Sequence, residues 1–316
     1  MLNKVFRRST QARLCTGTHW RHLCRAARGG DGGRRFEQLK GAAPELVKRR
    51  EPGSPEDVGL ERYEMKYIIH PSQVHGIREF IKPFTVADPN AGVDPPEYDV
   101  VTLQLDSPDL ALFKAKEYDA INRFKLRIRT YVSDEPGPVF LEIKRKIKGV
   151  VVKSRARIPM DAWHNAILAK PGEPLNFRSD EEDANYLQFL RLVHEIGTRP
   201  TVRIRYTRES YLGLNDRYAR LTIDRNLAYQ PTTSWDFDDL SGNWWAMDST
   251  MAMNRPFSGV ILELKTFQDA PLWMIDLTER FNLERVGFCK YFTAMRLDSL
   301  FRGELYSDAS DDCNYG

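Results

Sequence analysis

The sequence predicts an α+β fold: an eight-stranded antiparallel β tunnel (barrel) with a polar, basic lumen and helices packed outside. Three observations predict it. Eight stretches between residues 60 and 305 alternate apolar and polar side chains with the period of two that a strand imposes, and Gly, Pro, Asp and Asn punctuate them. The polar faces of these stretches are dominated by Lys and Arg, with an isolated Glu recurring among them. About six further stretches have helix-type spacing, enough to cover the apolar side of such a sheet.

In chain order, the first strand is predicted over 61–69, where Arg62, Glu64 and Lys66 share one face and Tyr63, Met65, Tyr67 and Ile69 the other. A strand over 98–105 follows. In 123–132, Lys125, Arg127 and Arg129 oppose Leu126 and Ile128. In 138–146, Glu142, Lys144 and Lys146 oppose Val139, Leu141 and Ile143. In 149–158, Lys153, Arg155 and Arg157 share a face; in 201–212, Tyr206 and Arg208 do. In 219–229, Arg220, Thr222 and Asp224 oppose Leu221 and Ile223, and in 259–267, Glu263 and Lys265 oppose Leu262 and Leu264. Helices are predicted at 71–82, 108–118, 159–169, 182–196, 271–281 and 289–301, with Pro71, Pro108, Pro159 and Pro271 each at a first turn. Residues 59–303 read as one domain. Residues 1–58 are expected to be a disordered extension and 304–316 a disordered acidic tail.

Any one of these strands could simply carry its charges into water. Together they point inward, because a solvated sheet would mix in more Ser, Thr, Gln and Asp than these faces show. Facing cations repel and lose hydration, so such a lumen needs negative charge inside it. Glutamates offset part of this, and the remainder is a trap for a thin polyanion. Arg meets phosphate oxygens with two parallel hydrogen bonds, and Lys supplies point charge. A bore of about eight strands admits a phosphate chain but not a nucleic-acid duplex. Carboxylates among phosphates suit Mg²⁺ or Mn²⁺. Glu263 is read as such a metal ligand; for Glu142 and Glu64 metal binding and simple pairing with a neighbouring cation both stand.

In order, RYEMKYII (62–69), KLRIRTY (125–131), FLEIKRK (140–146), KSRARI (153–158), YTRESY (206–211), RLTID (220–224), ILELK (261–265) and FCKY (288–291) resemble the VTC domain. This is the polyphosphate polymerase domain of the triphosphate tunnel metalloenzyme, or CYTH-like, superfamily. The resemblance covers about residues 60–300. It implies an eight-stranded tunnel that transfers the ATP γ-phosphate to a growing polyphosphate chain. It implies that Lys66, Arg127, Arg129, Lys144, Arg208, Arg220 and Lys290 contact phosphates, with Tyr206 on the chain and Glu263 on a divalent metal. It places a further basic contact at Lys153 or Arg155. Arg62 stands where the wider superfamily has the first Glu of a Glu-x-Glu-x-Lys signature, which argues against simple CYTH-type hydrolysis. Cys289 stands where a serine is typical, and Gly287 where a further lysine can occur.

Composition narrows the classes. The net charge of +3 is too small for a general nucleic-acid binder, and no nucleic-acid partner is expected. No apolar run reaches the roughly 18–20 residues of a membrane helix. A cytoplasmic protein is expected, with any coupling to transport left to a separate membrane partner. The four scattered cysteines fit a reducing compartment. Cys15, His19, His22 and Cys24 match no common zinc spacing, and His70, His75, His164 and His194 form no nucleophile–base set. Trp244, Trp245, Met247, Met251 and Met253 mark an apolar loop over 235–258, read either as a cap or as a partner surface. The functional expectation is an ATP:polyphosphate phosphotransferase. A binding module that takes polyphosphate without turnover and a tripolyphosphate hydrolase are the alternatives.

Overall fold

The computed structural model describes residues 63–302 apart from 92–93, 133–136, 149, 164–176, 216–218, 237–240 and 267–269. The chain divides into Met1–Val58 and Gly59–Gly316, and every described residue lies in the second unit. Arg62, the Cys15–Cys24 set and both expected tails lie outside the described residues.

The eight expected strands are present as β1 (Tyr63–Ile69), β3 (Glu97–Asp106), β4 (Asn122–Val132), β5 (Val139–Ile147), β6 (Val150–Ile158), β7 (Arg199–Gly213), β8 (Arg220–Pro231) and β10 (Val260–Thr266). Two short strands were not expected, β2 (Thr85–Ala87) and β9 (Trp245–Ala246). The helices are α1 (Gln73–Ile81), α2 (Ala111–Glu117), α3 (Asp180–Ile196), α4 (Thr250–Met253), α5 (Leu272–Arg280) and α6 (Lys290–Arg302). Most of the helix expected at 159–169 lies outside the described residues.

Local chemistry sets the boundaries. At α3 the Ser179 hydroxyl accepts the Glu182 N–H, and Asp180, Glu181, Glu182 and Asp183 sit in the first turn, where the helix dipole favours acids. Gly197, at φ 66°, ends that helix in the left-handed conformation. Between β5 and β6, Ile147 pairs with Val150, and Lys148 takes a φ of 48° in the turn.

The sheet corrects the expectation of a closed eight-stranded barrel. It has ten strands, every pairing is antiparallel, and its main path runs β1-β10-β8-β7-β3-β4-β5-β6, with β2 on β7 and β9 on β8. Among the described residues no backbone pairing joins β1 to β6. The approach to α6 occupies the free edge of β1 instead: Tyr67 bridges Arg285, and the Val286 N–H donates to the Lys66 carbonyl at 2.7 Å. The sheet is nonetheless strongly curled. β1 and β5 are six strand spacings apart along the path, about 29 Å if flat. Yet Lys144 on β5 reaches Glu64 on β1 at 3.0 Å.

Three apolar cores hold this shape. On the convex side, Phe189, Leu190 and Val193 of α3 cover Leu103, Leu126, Ile128, Leu141 and Ile158, with Trp163 beside them. Also on that side, Ile77 and Ile81 of α1 and Met274 and Leu277 of α5 cover Tyr67, Ile69, Ile223, Leu262 and Leu264. Fully buried side chains of this size each stabilise the fold by about 1.5–3 kcal/mol. Phe189→Ala would cost about 3–5 kcal/mol.

The third core corrects the expectation that all helices lie outside. Phe113 of α2 and Tyr291, Ala294 and Leu297 of α6 pack on Val100, Ile204, Tyr206 and Ile261. Strand alternation puts Ile204 and Tyr206 on the face of Arg208, and Ile261 on the face of Glu263. One end of the concave face is therefore apolar and capped by helix. Buried Asp106 ties the cap down, accepting the N–H groups of Leu112 and Phe113 at 2.8 Å each and the Tyr291 hydroxyl at 2.6 Å. Met247 and Met253 are buried in the same core, and Trp245 stacks on Phe301, so this part of 235–258 acts as a cap.

Candidate functional site

The rest of the concave face is lined with charge, grouped around four carboxylates. Glu142, in the middle of β5, has no solvent exposure and gathers the most cations. Arg127 Nε, from β4, donates to its Oε2 at 2.6 Å, and Arg129 lies 3.8 Å from the same oxygen. From β6, Arg155 Nε donates to Oε1 at 2.8 Å and Lys153 Nζ lies 2.7 Å from it. The reason is register: Glu142 pairs with Arg127 on one side and Arg155 on the other. Burial pushes the Glu142 carboxyl up, but the four cations hold it well below the usual carboxylate range. Burial drives Lys153 down to about 7; Glu142 opposes this, and the neighbouring guanidiniums add to it.

Glu64 and Glu263 form the second group. Lys66 Nζ sits between them, 2.7 Å from Glu64 and 3.5 Å from Glu263. Lys144 holds Glu64 at 3.0 Å, and Lys265 holds Glu263 at 2.7 Å. Burial and the charge of Glu263 push Glu64 up, yet Lys66 and Lys144 pull it down to about 2. Glu263 is also held well below its ordinary value: burial raises it, and Lys265, Lys66 and Arg208 outweigh that. Burial lowers Lys144 to about 8 against the pull of Glu64.

Asp224 on β8 is the fourth carboxylate. It is fully buried and takes a two-point grip from Arg208 at 2.6 and 2.7 Å and the Lys290 ammonium at 2.5 Å. Burial raises its pKa, but these two cations bring it to about 2. Tyr206 lies between them, with Lys290 Nζ 4.4 Å and the Arg208 guanidinium 5.3 Å from its ring centroid. Beside Lys290, the Lys125 ammonium contacts the Cys289 thiol; burial raises that thiol, and Lys125 more than offsets it, to about 7.

The sequence-predicted residues thus separate. Lys66, Arg127, Arg129, Lys144, Lys153, Arg155, Arg208, Lys290, Tyr206, Glu64, Glu142 and Glu263 share the concave face. Arg220 lies on the same strand face as Thr222 and Asp224 but makes no ion pair among the described residues: it is exposed at the start of β8, and its charge helps to lower Asp88. Arg62 lies outside the described residues. Three contributors went unassigned by sequence reasoning: Asp224, Lys265 and the Lys125–Cys289 contact. The signal for Asp224 was there, since it shares its alternation with Thr222. The Lys125–Cys289 contact joins residues 164 positions apart and leaves no local trace.

A divalent cation takes one or two carboxylates plus phosphate oxygens and water. Glu64 and Glu263, on neighbouring strands and already sharing an ammonium, fit that donor set. Glu142 does not fit it. Among the described residues no second carboxylate shares its cations, and four positive side chains would repel a metal, so simple ion pairing accounts for it. Among the described residues no group of three or more His, Cys, Asp or Glu converges in a metal-holding geometry.

A family model for the VTC domain matches residues 61–298. No curated protein matches the chain. Among solved structures, a candidate adenylate cyclase from Bacillus halodurans is similar at 11% identity and TM-score 0.41, covering 73% of this chain and 94% of its own. A Pyrococcus horikoshii OT3 protein is similar at 12% identity and TM-score 0.40, covering 75% and 99%. The Mimivirus capping-enzyme triphosphatase is similar at 11% identity and TM-score 0.28, covering 80% and 96%.

Proposed function

The chain belongs to the VTC domain family, and on that premise we propose that it moves the γ-phosphate of ATP onto the end of a polyphosphate chain lying along its concave face. The observation that carries this is an imbalance of charge. Ten cations (Lys66, Lys125, Arg127, Arg129, Lys144, Lys153, Arg155, Arg208, Lys265 and Lys290) surround four carboxylates (Glu64, Glu142, Asp224 and Glu263). Lys153 and the Cys289 thiol both titrate at about 7, so near that pH the excess is about five positive charges on one curled surface, which calls for a polyanion. Arg129 adds to the case: it is buried, and its Nε has no hydrogen-bond partner among the described residues.

In the proposed reaction a terminal oxygen of the chain forms a bond to the γ-phosphorus. The bond from that phosphorus to the β–γ bridging oxygen breaks, and its electron pair leaves with ADP. The transition state is loose, so positioning and charge stabilisation supply most of the acceleration. Arg127, Arg129 and Arg155 would orient acceptor phosphates from the β4–β6 wall, and Arg208 and Lys290 would do so from the opposite side. Tyr206 would fix the Lys290 ammonium. Glu64 and Glu263 would hold Mn²⁺ or Mg²⁺, which when bound would supply Lewis-acid stabilisation of phosphate charge.

One observation favours binding without turnover: the Lys66 ammonium already occupies the space between the two carboxylates. A single assay separates the readings. The full chain is incubated with ATP and Mn²⁺ and examined for ADP and long-chain polyphosphate, then with tripolyphosphate and examined for orthophosphate. Polymer with ADP is the expected outcome. Orthophosphate alone assigns a hydrolase, and tight tripolyphosphate binding without either product assigns a binding module.

A further inference from the structure

We propose that the Thr222 hydroxyl is a substrate-positioning group, donating a hydrogen bond to a phosphate oxygen of the bound polyanion; this rests on the reading of the concave face as a phosphate-chain site.

Thr222 sits in a single polar row across four strands. Lys66 of β1 pairs with Glu263 of β10, Glu263 with Thr222 of β8, and Thr222 with Ser210 of β7. The other members of the row have partners. Lys66 contacts Glu64 and Glu263, Glu263 contacts Lys265, and the Ser210 hydroxyl donates to Asp88 at 3.0 Å. Thr222 is 1% exposed, and its Oγ1 has no hydrogen-bond partner among the described residues.

An unpaired buried hydroxyl is costly, because it gives up its bonds to water and gains nothing in return. The fold alone would be better served by valine, which has the same shape and the same preference for strands. Alternation places the side chain on the concave face, between Arg220 and Asp224. The registers on either side bring Lys265 beside Arg220 and Arg208 beside Asp224, so cations flank the row in both directions. A phosphate drawn to those cations passes over the one hydroxyl in the row that has no protein acceptor. A threonine hydroxyl both donates to a phosphate oxygen and, unlike lysine or arginine, adds no charge, so it orients the chain without tightening every phosphate equally.

The test is calorimetric titration of tripolyphosphate in EDTA into the parent, Thr222→Val, Thr222→Ser and Arg127→Ala chains, with the melting temperature of each free protein. Thr222→Val should bind at least about tenfold more weakly, the size of one hydrogen bond to a charged acceptor. Its free form should melt at or above the parent, because the orphaned donor is gone. Thr222→Ser keeps the hydroxyl and should stay within about threefold of the parent, well short of the roughly tenfold loss of one such bond. A hydroxyl serving only the fold would show the reverse, a lower melting temperature with unchanged affinity. Thr222→Val binding as tightly as the parent, while Arg127→Ala binds more weakly, overturns this assignment alone. Failure of the parent itself to bind tripolyphosphate overturns the phosphate-chain reading and this assignment with it.

Discussion

Glu142→Gln is the most revealing single change at the concave face. The substitution keeps the shape but removes the one negative charge shared by Arg127, Arg129, Lys153 and Arg155. Losing one partner of a buried ion pair costs about 3–5 kcal/mol, because the opposite charges remain buried without it. Lys153 provides partial relief. Glu142 is what raises its pKa, so without that carboxylate the lysine titrates at a lower pH and, near pH 7, sheds the proton that the parent lysine half retains. The lower end of the range is therefore expected, a fall in melting temperature of about 10 °C for a domain of this size. Tripolyphosphate at a hundred times its dissociation constant stabilises any protein it binds by about 2.7 kcal/mol. At equal ligand concentration the variant should gain more than the parent, since the ligand supplies the missing negative charge. Scanning fluorimetry with and without tripolyphosphate reads both quantities. A variant that melts within about 2 °C of the parent, less than the shift of 1 kcal/mol, would show that the cluster is not electrostatically strained. Equal gains with ligand in both proteins would show that these cations do not meet the polyanion.

Glu263→Gln should abolish metal-dependent turnover while tripolyphosphate binding in EDTA is kept or tightened, because one carboxylate leaves the cationic face; loss of both together would refute the metal role. Lys153 titrates near 7 when free and is held charged by a bound polyanion, so affinity should fall as pH rises from 7 towards 9. At pH 8, binding should take up protons, seen as an enthalpy that tracks the ionisation heat of the buffer; the reasoning fails if Lys153→Arg leaves that dependence unchanged. Cys289 should react with iodoacetamide along a titration curve centred near pH 7, and Lys125→Met should move the midpoint upward; an unmoved midpoint would mean the ammonium is not its cause. Arg127→Ala and Lys290→Ala should each weaken tripolyphosphate binding, and unchanged affinity in both would mean the wall has been misassigned.

The strands were legible because alternation is a local property. Leu126, Arg127, Ile128 and Arg129 state in four residues which face is which, and the structure places them accordingly. Closure is not local. Nothing in β1 or β6 reveals that residues 285–286 take the edge of β1. The apolar end was missed because Ile204, Tyr206 and Ile261 read as ordinary strand residues until α6 is seen against them. Asp224 was visible as a polar member of its strand, but its importance comes from Arg208 and Lys290, which lie 16 and 66 residues away. Likewise, the sequence left Glu142 and Glu64 equivalent, and only their neighbours separate a counter-ion from a candidate metal ligand.

The unjoined ends of the sheet give this surface a mechanical character. A ring closed by a backbone ladder has a fixed girth and must be threaded from an end. Here the grip of Lys144 on Glu64 spans the bore, and that lysine is one the cargo itself would compete for. Among the described residues the girth at that point is therefore set by side-chain ion pairing and not by a row of backbone hydrogen bonds.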